Sequence, residues 1–196
     1  MSDILGWKRV RIYILALLVL SGNMLCPLPV AAAQELVPTR FGLGGNLGSV
    51  YDPNEKIDFV QVVGLALFDY DAVWPHRAPE ALRFKVEANL GLTTAPKMRV
   101  IASGNMLALY FLDRLRSSRL RPYAEAGIGL IYTDFQVDGQ GLRINFNPQA
   151  GIGTEIETNR YGVWFTAFRL HHVSNADLHR DNRGINSVVL SFGRFF

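Results

Sequence analysis

The chain has 196 residues, with 20 Lys or Arg against 17 Asp or Glu and a single cysteine. Three of the basic residues (Lys8, Arg9, Arg11) and one acidic residue (Asp3) lie within the first 33, so the rest balances 17 against 16 and leaves no nucleic-acid footprint. The cysteine, Cys26, also falls in that first segment, which excludes a disulfide framework beyond it.

That segment reads as a cleavable signal peptide over residues 1–33. Its basic start is followed by an apolar run from Ile12 to Leu20, too short for a spanning helix of about 20 residues. Ala31-Ala32-Ala33 supplies a small-residue cleavage site, which starts the mature chain at Gln34. Leu25 stands before Cys26 where a lipoprotein signal needs a small residue, so no lipid attachment is expected. Residues 34–196 suit one domain. They contain no apolar run near 18 residues, which leaves a soluble periplasmic domain or an outer-membrane β-barrel.

In chain order, Arg40–Val50 is a glycine-rich strand with Leu43 and Leu47 on one face. Tyr51–Lys56 reads as a turn, and Ile57–Tyr70 as a more apolar strand. Pro75 and Pro79 break the pattern between Asp71 and Glu80. Phe84–Leu92 alternates, with Phe84, Val86, Ala88, Leu90 and Leu92 opposite Lys85, Glu87 and Asn89. A turn follows at Thr94–Lys97, then a strand at Met98–Leu112 with Arg99, Ser103 and Asn105 on its polar face. A basic turn spans Asp113–Arg119. Pro122–Tyr132 sets Ala124, Ala126, Ile128 and Leu130 opposite Glu125 and two glycines. Asp138-Gly139 marks a turn. Leu142–Ile156 alternates again, Leu142, Ile144, Phe146 and Ile152 against Arg143, Asn145, Asn147, Gln149 and Glu155.

The segment Arg160–Phe196 closes the chain as two strands and a loop. At period two, the even face of the first strand is Gly162, Trp164, Thr166, Phe168 and Leu170 before it turns polar at His172 and Ser174. Charged Arg169 marks the odd face. In the last strand Val188, Leu190, Phe192 and Phe196 share a face, interrupted by Arg194 and opened by Asn186. His172, Ser174 and Asn186 thus point the same way at the rim of an apolar surface.

These are eight strands whose polar faces carry both signs: Lys85, Glu87, Arg99, Glu125, Arg143, Glu155 and Arg169. The other faces are smooth Leu, Ile, Val, Ala and Phe. That pattern fits an eight-stranded antiparallel transmembrane β-barrel of the outer-membrane type, with paired charges in the lumen and the apolar face in lipid. A lipocalin-like soluble barrel makes the reverse assignment, and alternation alone does not separate the two. The terminal aromatic Phe196, which resembles the signal read by the barrel-assembly machinery, favours the membrane. So do aromatics near strand ends (Phe68, Tyr70, Tyr110, Tyr132, Trp164). An even-stranded barrel keeps both termini in the periplasm, so the rim with His172, Ser174 and Asn186 faces the outer leaflet, where the lipid is lipopolysaccharide.

The chain resembles the PagL family, outer-membrane lipid A 3-O-deacylases. The resemblance rests on Arg121-Pro122-Tyr123-Ala124-Glu125-Ala126-Gly127-Ile128-Gly129, on Ile144-Asn145-Phe146 through Gly151-Ile152-Gly153, on the H-x-S-N-A segment His172–Ala176 and on the N-x-G-I segment Asn182–Ile185. It implies an esterase with His172 as base and Ser174 as nucleophile, forming an acyl-enzyme without metal or cofactor. Residues two apart on a strand share a face with Cβ atoms about 6–7 Å apart, which suits that pairing. The family completes the triad with a glutamate, and by spacing that position holds Asn186. No glutamate follows Glu157. Asn186 orients His172 through its amide oxygen, or Asp177 or Asp181 folds back to substitute, or the triad is broken. Asn175 and Asn182, with backbone N–H groups around Ala176, are the candidates for oxyanion donors.

The resulting expectation is a lipid A deacylase of the bacterial outer membrane. The alternatives are a non-catalytic barrel with a structural or adhesive role, or a phospholipase. The expected partners are lipid A, membrane lipid and the assembly machinery, with no nucleic acid; a homodimer is left open.

Overall fold

The computed structural model describes residues 37–53 and 55–196; the signal segment read at residues 1–33 lies outside them. The chain runs through β1 (Arg40–Asp52), β2 (Asp58–Asp69), a short helix α1 (Tyr70–Val73), β3 (Leu82–Ala95) and β4 (Val100–Phe111). A 3-10 turn (Asp113–Leu115) leads to β5 (Leu120–Thr133), β6 (Ile144–Phe146), β7 (Gln149–Thr158), β8 (Gly162–Val173) and β9 (Ile185–Phe195). All pairings are antiparallel, and β9 returns to pair with β1, so no strand edge is left open.

β6 and β7 are two parts of one barrel strand. Leu130 pairs with Phe146 and Gly127 with Gln149, so two residues separate the pairs on each side and nothing is inserted. The ladder is interrupted at Pro148, which has no N–H to give. The barrel therefore has eight strands, as the alternation predicts.

Side chains divide as a membrane barrel requires. Outward positions such as Leu43, Val62, Leu90, Met106, Ile128, Ile152, Phe168 and Leu170 are exposed and apolar. Inward positions hold the polar side chains. At mid-height Arg169 makes a bidentate contact with Glu87 at 2.7 and 2.9 Å and a further one with Glu125 at 2.6 Å. Lys85 joins the same two carboxylates, Glu87 at 3.2 Å and Glu125 in closer contact. Two cations meet two carboxylates, so the cluster is neutral, and each charge has partners to offset its lost hydration. A belt of amides and hydroxyls adjoins it. Asn147 donates to Asn105 at 2.7 Å and Ser191 to Asn46 at 2.8 Å.

Two details differ from the alternation-based expectation. The lumen is not uniformly wet: apolar plugs fill both ends. Ile57, Phe59, Ile101, Ile131, Val173 and Ile185 close one end. Leu65, Leu67, Leu109, Phe111, Tyr123 and Phe165 close the other. Arg99 and Arg143 stand outside the lumen, half-exposed at the rim, where both meet Asp134, at 3.8 and 2.6 Å. They belong to strand ends, where inward no longer means buried. Glu155 is inside and pairs with Arg40 at 2.5 Å.

The two ends are chemically distinct. Phe196 N–H donates to the Phe41 carbonyl at 2.9 Å, so the described start and the terminus of the chain share one end. Aromatics cluster there: Trp74 stands edge-on to Phe84, which neighbours Phe68. Val173 and Ile185 close β8 and β9 at the opposite end, and the candidate residues stand there.

Candidate active site

β8 and β9 pair His172 with Asn186 across the ladder, with both side chains on the outward face. His172 Nδ1 lies 2.6 Å from Asn186 Oδ1. A carbonyl oxygen only accepts, so Nδ1 carries the proton and Nε2 keeps its lone pair. Nε2 is thus the nitrogen left for Ser174, two residues on and on the same face. No hydrogen bond joins His172 to Ser174 among the described residues.

Ser174 lies beyond the end of β8 but is held by its backbone. Its N–H donates to the Phe146 carbonyl at 3.0 Å, and it accepts from Phe146 N–H at 2.8 Å. The chain then turns sharply. Ala176 and Asp177 both have positive φ, 53° and 62°, a conformation unfavourable for residues with a Cβ. Two successive residues in this region, directly after the candidate nucleophile, mark a loop held by its surroundings.

The holding groups are Asn175 and Asn182. Asn182 Oδ1 accepts from Asn175 N–H at 2.8 Å, while Asn175 Nδ2 donates to the Asp181 carbonyl at 2.9 Å. Asn182 Nδ2 donates to Asp177 Oδ1 at 2.9 Å. Asn175 is buried, so its amide serves the loop's shape. The two loop aspartates are engaged within the loop as well. Asp177 takes the Asn182 amide, and Asp181 stands 3.6 Å from Arg180 and 3.9 Å from His179. Neither is paired with His172.

A residue that sequence reasoning passed over stands behind Asn186. Asp52 Oδ2 accepts from Asn186 Nδ2 at 2.8 Å, and Asp52 Oδ1 accepts from Arg183 Nη2 at 2.6 Å. Tyr51–Lys56 reads as a turn in sequence, but β1 continues through Asp52 and reaches Asn186 by barrel closure. The signal that finds it is topological: in a closed eight-stranded barrel the outer end of the first strand neighbours the start of the last. Gly184, from the N-x-G-I segment, adjoins the histidine ring. A Cβ there would sit 2.6 Å from His172 Cε1.

His172 and Asn186 open onto a groove on the lipid-facing side, lined by Tyr51, Ala126, Pro148, Ala150 and Leu170. The neighbouring His171 belongs to the lumen side, with Nδ1 2.9 Å from Ser187 Oγ. Among the described residues no group of three or more His, Cys, Asp or Glu could hold a metal ion.

Comparison with known proteins agrees with this architecture. The family described as lipid A 3-O-deacylase (PagL) matches residues 66–194. The crystal structure of the outer membrane enzyme PagL superposes with a TM-score of 0.57 at 20% identity, covering 80% of this chain and 99% of that one. Neisserial surface protein A gives a TM-score of 0.61 at 13% identity, with 82% and 97% covered. At such identities the two structures speak to the fold alone. No curated relative matches the chain. The family match spans most of the barrel and both segments of the closing hairpin, and the chain accordingly belongs to the PagL family of lipid A 3-O-deacylases, as a β-barrel of the bacterial outer membrane.

Proposed function

We propose that this chain removes the ester-linked acyl chain at the 3-position of lipid A through an acyl-enzyme on Ser174. The observation that carries the reading is the 2.6 Å contact between His172 and Asn186. It gives His172 the tautomer of a general base, on the same lipid-facing rim as a serine two residues away.

In the first half-reaction Ser174 Oγ attacks the ester carbonyl while its proton passes to His172 Nε2. The oxyanion takes hydrogen bonds from backbone N–H groups of the strained Ala176–Asp177 turn. Collapse breaks the ester C–O bond, and the imidazolium returns its proton to the departing 3-hydroxyl of lipid A. Water then attacks the acyl-serine with His172 again as base, releasing the fatty acid and restoring Ser174. Asn186 serves where the family places a glutamate, by accepting a hydrogen bond from Nδ1–H. The groove below His172 receives the acyl chain from the outer leaflet.

The test is mass spectrometry of lipid A from a heterologous bacterium expressing the parent or Ser174→Ala. The parent removes one 3-hydroxyacyl chain. Ser174→Ala reduces this by about 10⁶-fold, which is to background. Intact lipid A beside a folded, outer-membrane parent refutes the proposal, and fatty acid lost from phospholipid instead makes the chain a phospholipase.

A further inference from the structure

We infer that Asp52 is a positioning residue, which holds the Asn186 amide in the single orientation that lets an asparagine do the work of a carboxylate. The inference rests on His172 being the base of the proposed reaction.

An asparagine amide is nearly symmetric in shape but not in chemistry: one end only accepts hydrogen bonds and the other only donates. Turned by 180°, Asn186 would present its NH₂ to His172 Nδ1. That nitrogen would then have to be the unprotonated acceptor, and Nε2 would carry its proton toward Ser174, a donor where a base is needed. A carboxylate at this position has no such failure, because both its oxygens accept. A chain with asparagine here therefore needs something that tells the two ends apart.

Asp52 does so. An aspartate at neutral pH is acceptor-only, and its Oδ2 lies 2.8 Å from Asn186 Nδ2. The turned amide would set two acceptors against each other with no proton between them. Arg183 fixes Asp52 from the other side, through Oδ1 at 2.6 Å. Each atom from Arg183 to His172 then has one role: guanidinium donates to carboxylate, carboxylate accepts from amide, amide oxygen accepts from imidazole.

The backbone is arranged to bring Asp52 there. Along β1 the even positions face inward, as buried Gly42 and Asn46 show, so an unbroken strand would aim Asp52 into the lumen. Instead the register shifts between Val50 and Asp52. Val50 pairs with Ser187 and Asp52 with Asn186, so Tyr51 and Asp52 together oppose one residue of β9. This is a β-bulge, and it turns Asp52 onto the outward face that Asn186 shares. The bulged residues of β1 and Asp52 precede the span 66–194 that matches the family, while their partners Ser187 and Asn186 lie within it.

The test uses the mature barrel refolded in detergent with ¹⁵N-labelled histidine, at a pH where imidazole is neutral, together with lipid A deacylation kinetics. The parent shows His172 protonated on Nδ1. The isosteric Asp52→Asn shifts part of the population to the Nε2-protonated form. It lowers kcat by between about tenfold and 10⁴-fold, the upper figure being the cost of the wrong tautomer in a Ser-His-Asp triad, and leaves KM unchanged. The exchange variant Asp52→Asn/Asn186→Asp restores the Nδ1 tautomer and kcat, because the carboxylate then sits on His172 with the amide donating from behind. A purely structural role for Asp52 would leave the tautomer alone. An Asp52→Asn protein with the parent's tautomer and kcat, or an exchange variant that recovers neither, overturns the inference. A parent with the Nδ1 signature, lost in Asp52→Asn, that leaves lipid A intact instead refutes the deacylase reading, while the hold of Asp52 on the Asn186 amide and the His172 tautomer stands.

Discussion

At position 184 a single methyl group decides where the candidate base can sit. Gly184 packs so close to His172 that a Cβ would fall 2.6 Å from Cε1, and the ring is already tied at Nδ1. Gly184→Ala must swing the imidazole, moving Nε2 relative to Ser174. Displacements near 1 Å cost about 10²-fold in rate, so that fall in lipid A deacylation is expected with the barrel still folded. A time course of lipid A mass spectra, beside gel mobility of heated and unheated samples, checks both halves. Position 186 gives a less obvious expectation. Placing an acid there by Asn186→Glu sets a carboxylate against Asp52, now 2.8 Å from the amide nitrogen, and is expected to lower deacylation below the parent. Combined with Asp52→Asn the same change is expected to exceed Asn186→Glu alone, which the same time course measures. His172, Ser174 and Asn186 were legible because period two puts them on one face. Asp52 was not, because period two sends it inward and only the bulge brings it out.

A strand such as β8 carries two functions at once, on opposite faces three residues apart. Arg169 points inward to Glu87 and Glu125, and His172 points outward to Asn186. The inner contacts fix the height and register of the strand that presents the histidine. Removing one member of a buried charge cluster strands the others, at a cost of about 3–5 kcal/mol. Arg169→Met leaves two carboxylates with only Lys85, so urea unfolding of the refolded barrel is expected at a lower midpoint, with an unfolding free energy smaller by about 3–5 kcal/mol. Replacing all four charged residues by apolar ones of similar volume is expected to cost far less, since no charge is left unpaired. The members of this cluster could be read from alternation, because a charge in mid-strand has only one place to go. The apolar plugs could not. Leu109 and Phe111 point inward and alternate with outward Ala108 and Tyr110, so both faces of this end of β4 look alike in sequence. The Pro148 interruption was equally silent, because Ile144 and Ile152 keep the same face across it.

Closure into a barrel joins β1, where the family match does not reach, to β9, where the motif ends, and so completes a site that no single segment contains. The same closure produces the outward apolar band that distinguishes a membrane barrel from a soluble one. Sequence alternation left those two open, because it fixes which residues share a face and not which face meets water. Ile152 tests the choice directly. It lies near the middle of its barrel strand, is 66% exposed, and pairs with Phe168 and Ala124 on the neighbouring strands. In a bilayer an arginine at mid-depth costs about 2–4 kcal/mol, while near the interface the cost falls to about 0–1 kcal/mol. Ile152→Arg is therefore expected to lose about 2–4 kcal/mol in unfolding from liposomes, and Tyr132→Arg, beside the rim, about 0–1 kcal/mol. In a detergent-free aqueous barrel the order would not hold, since an arginine at an exposed mid-strand site would face water. Equal stabilities for the two variants in liposomes would mean that the apolar band does not lie in the hydrocarbon, and that His172 and Ser174 do not stand at the lipid surface where the proposed substrate is held.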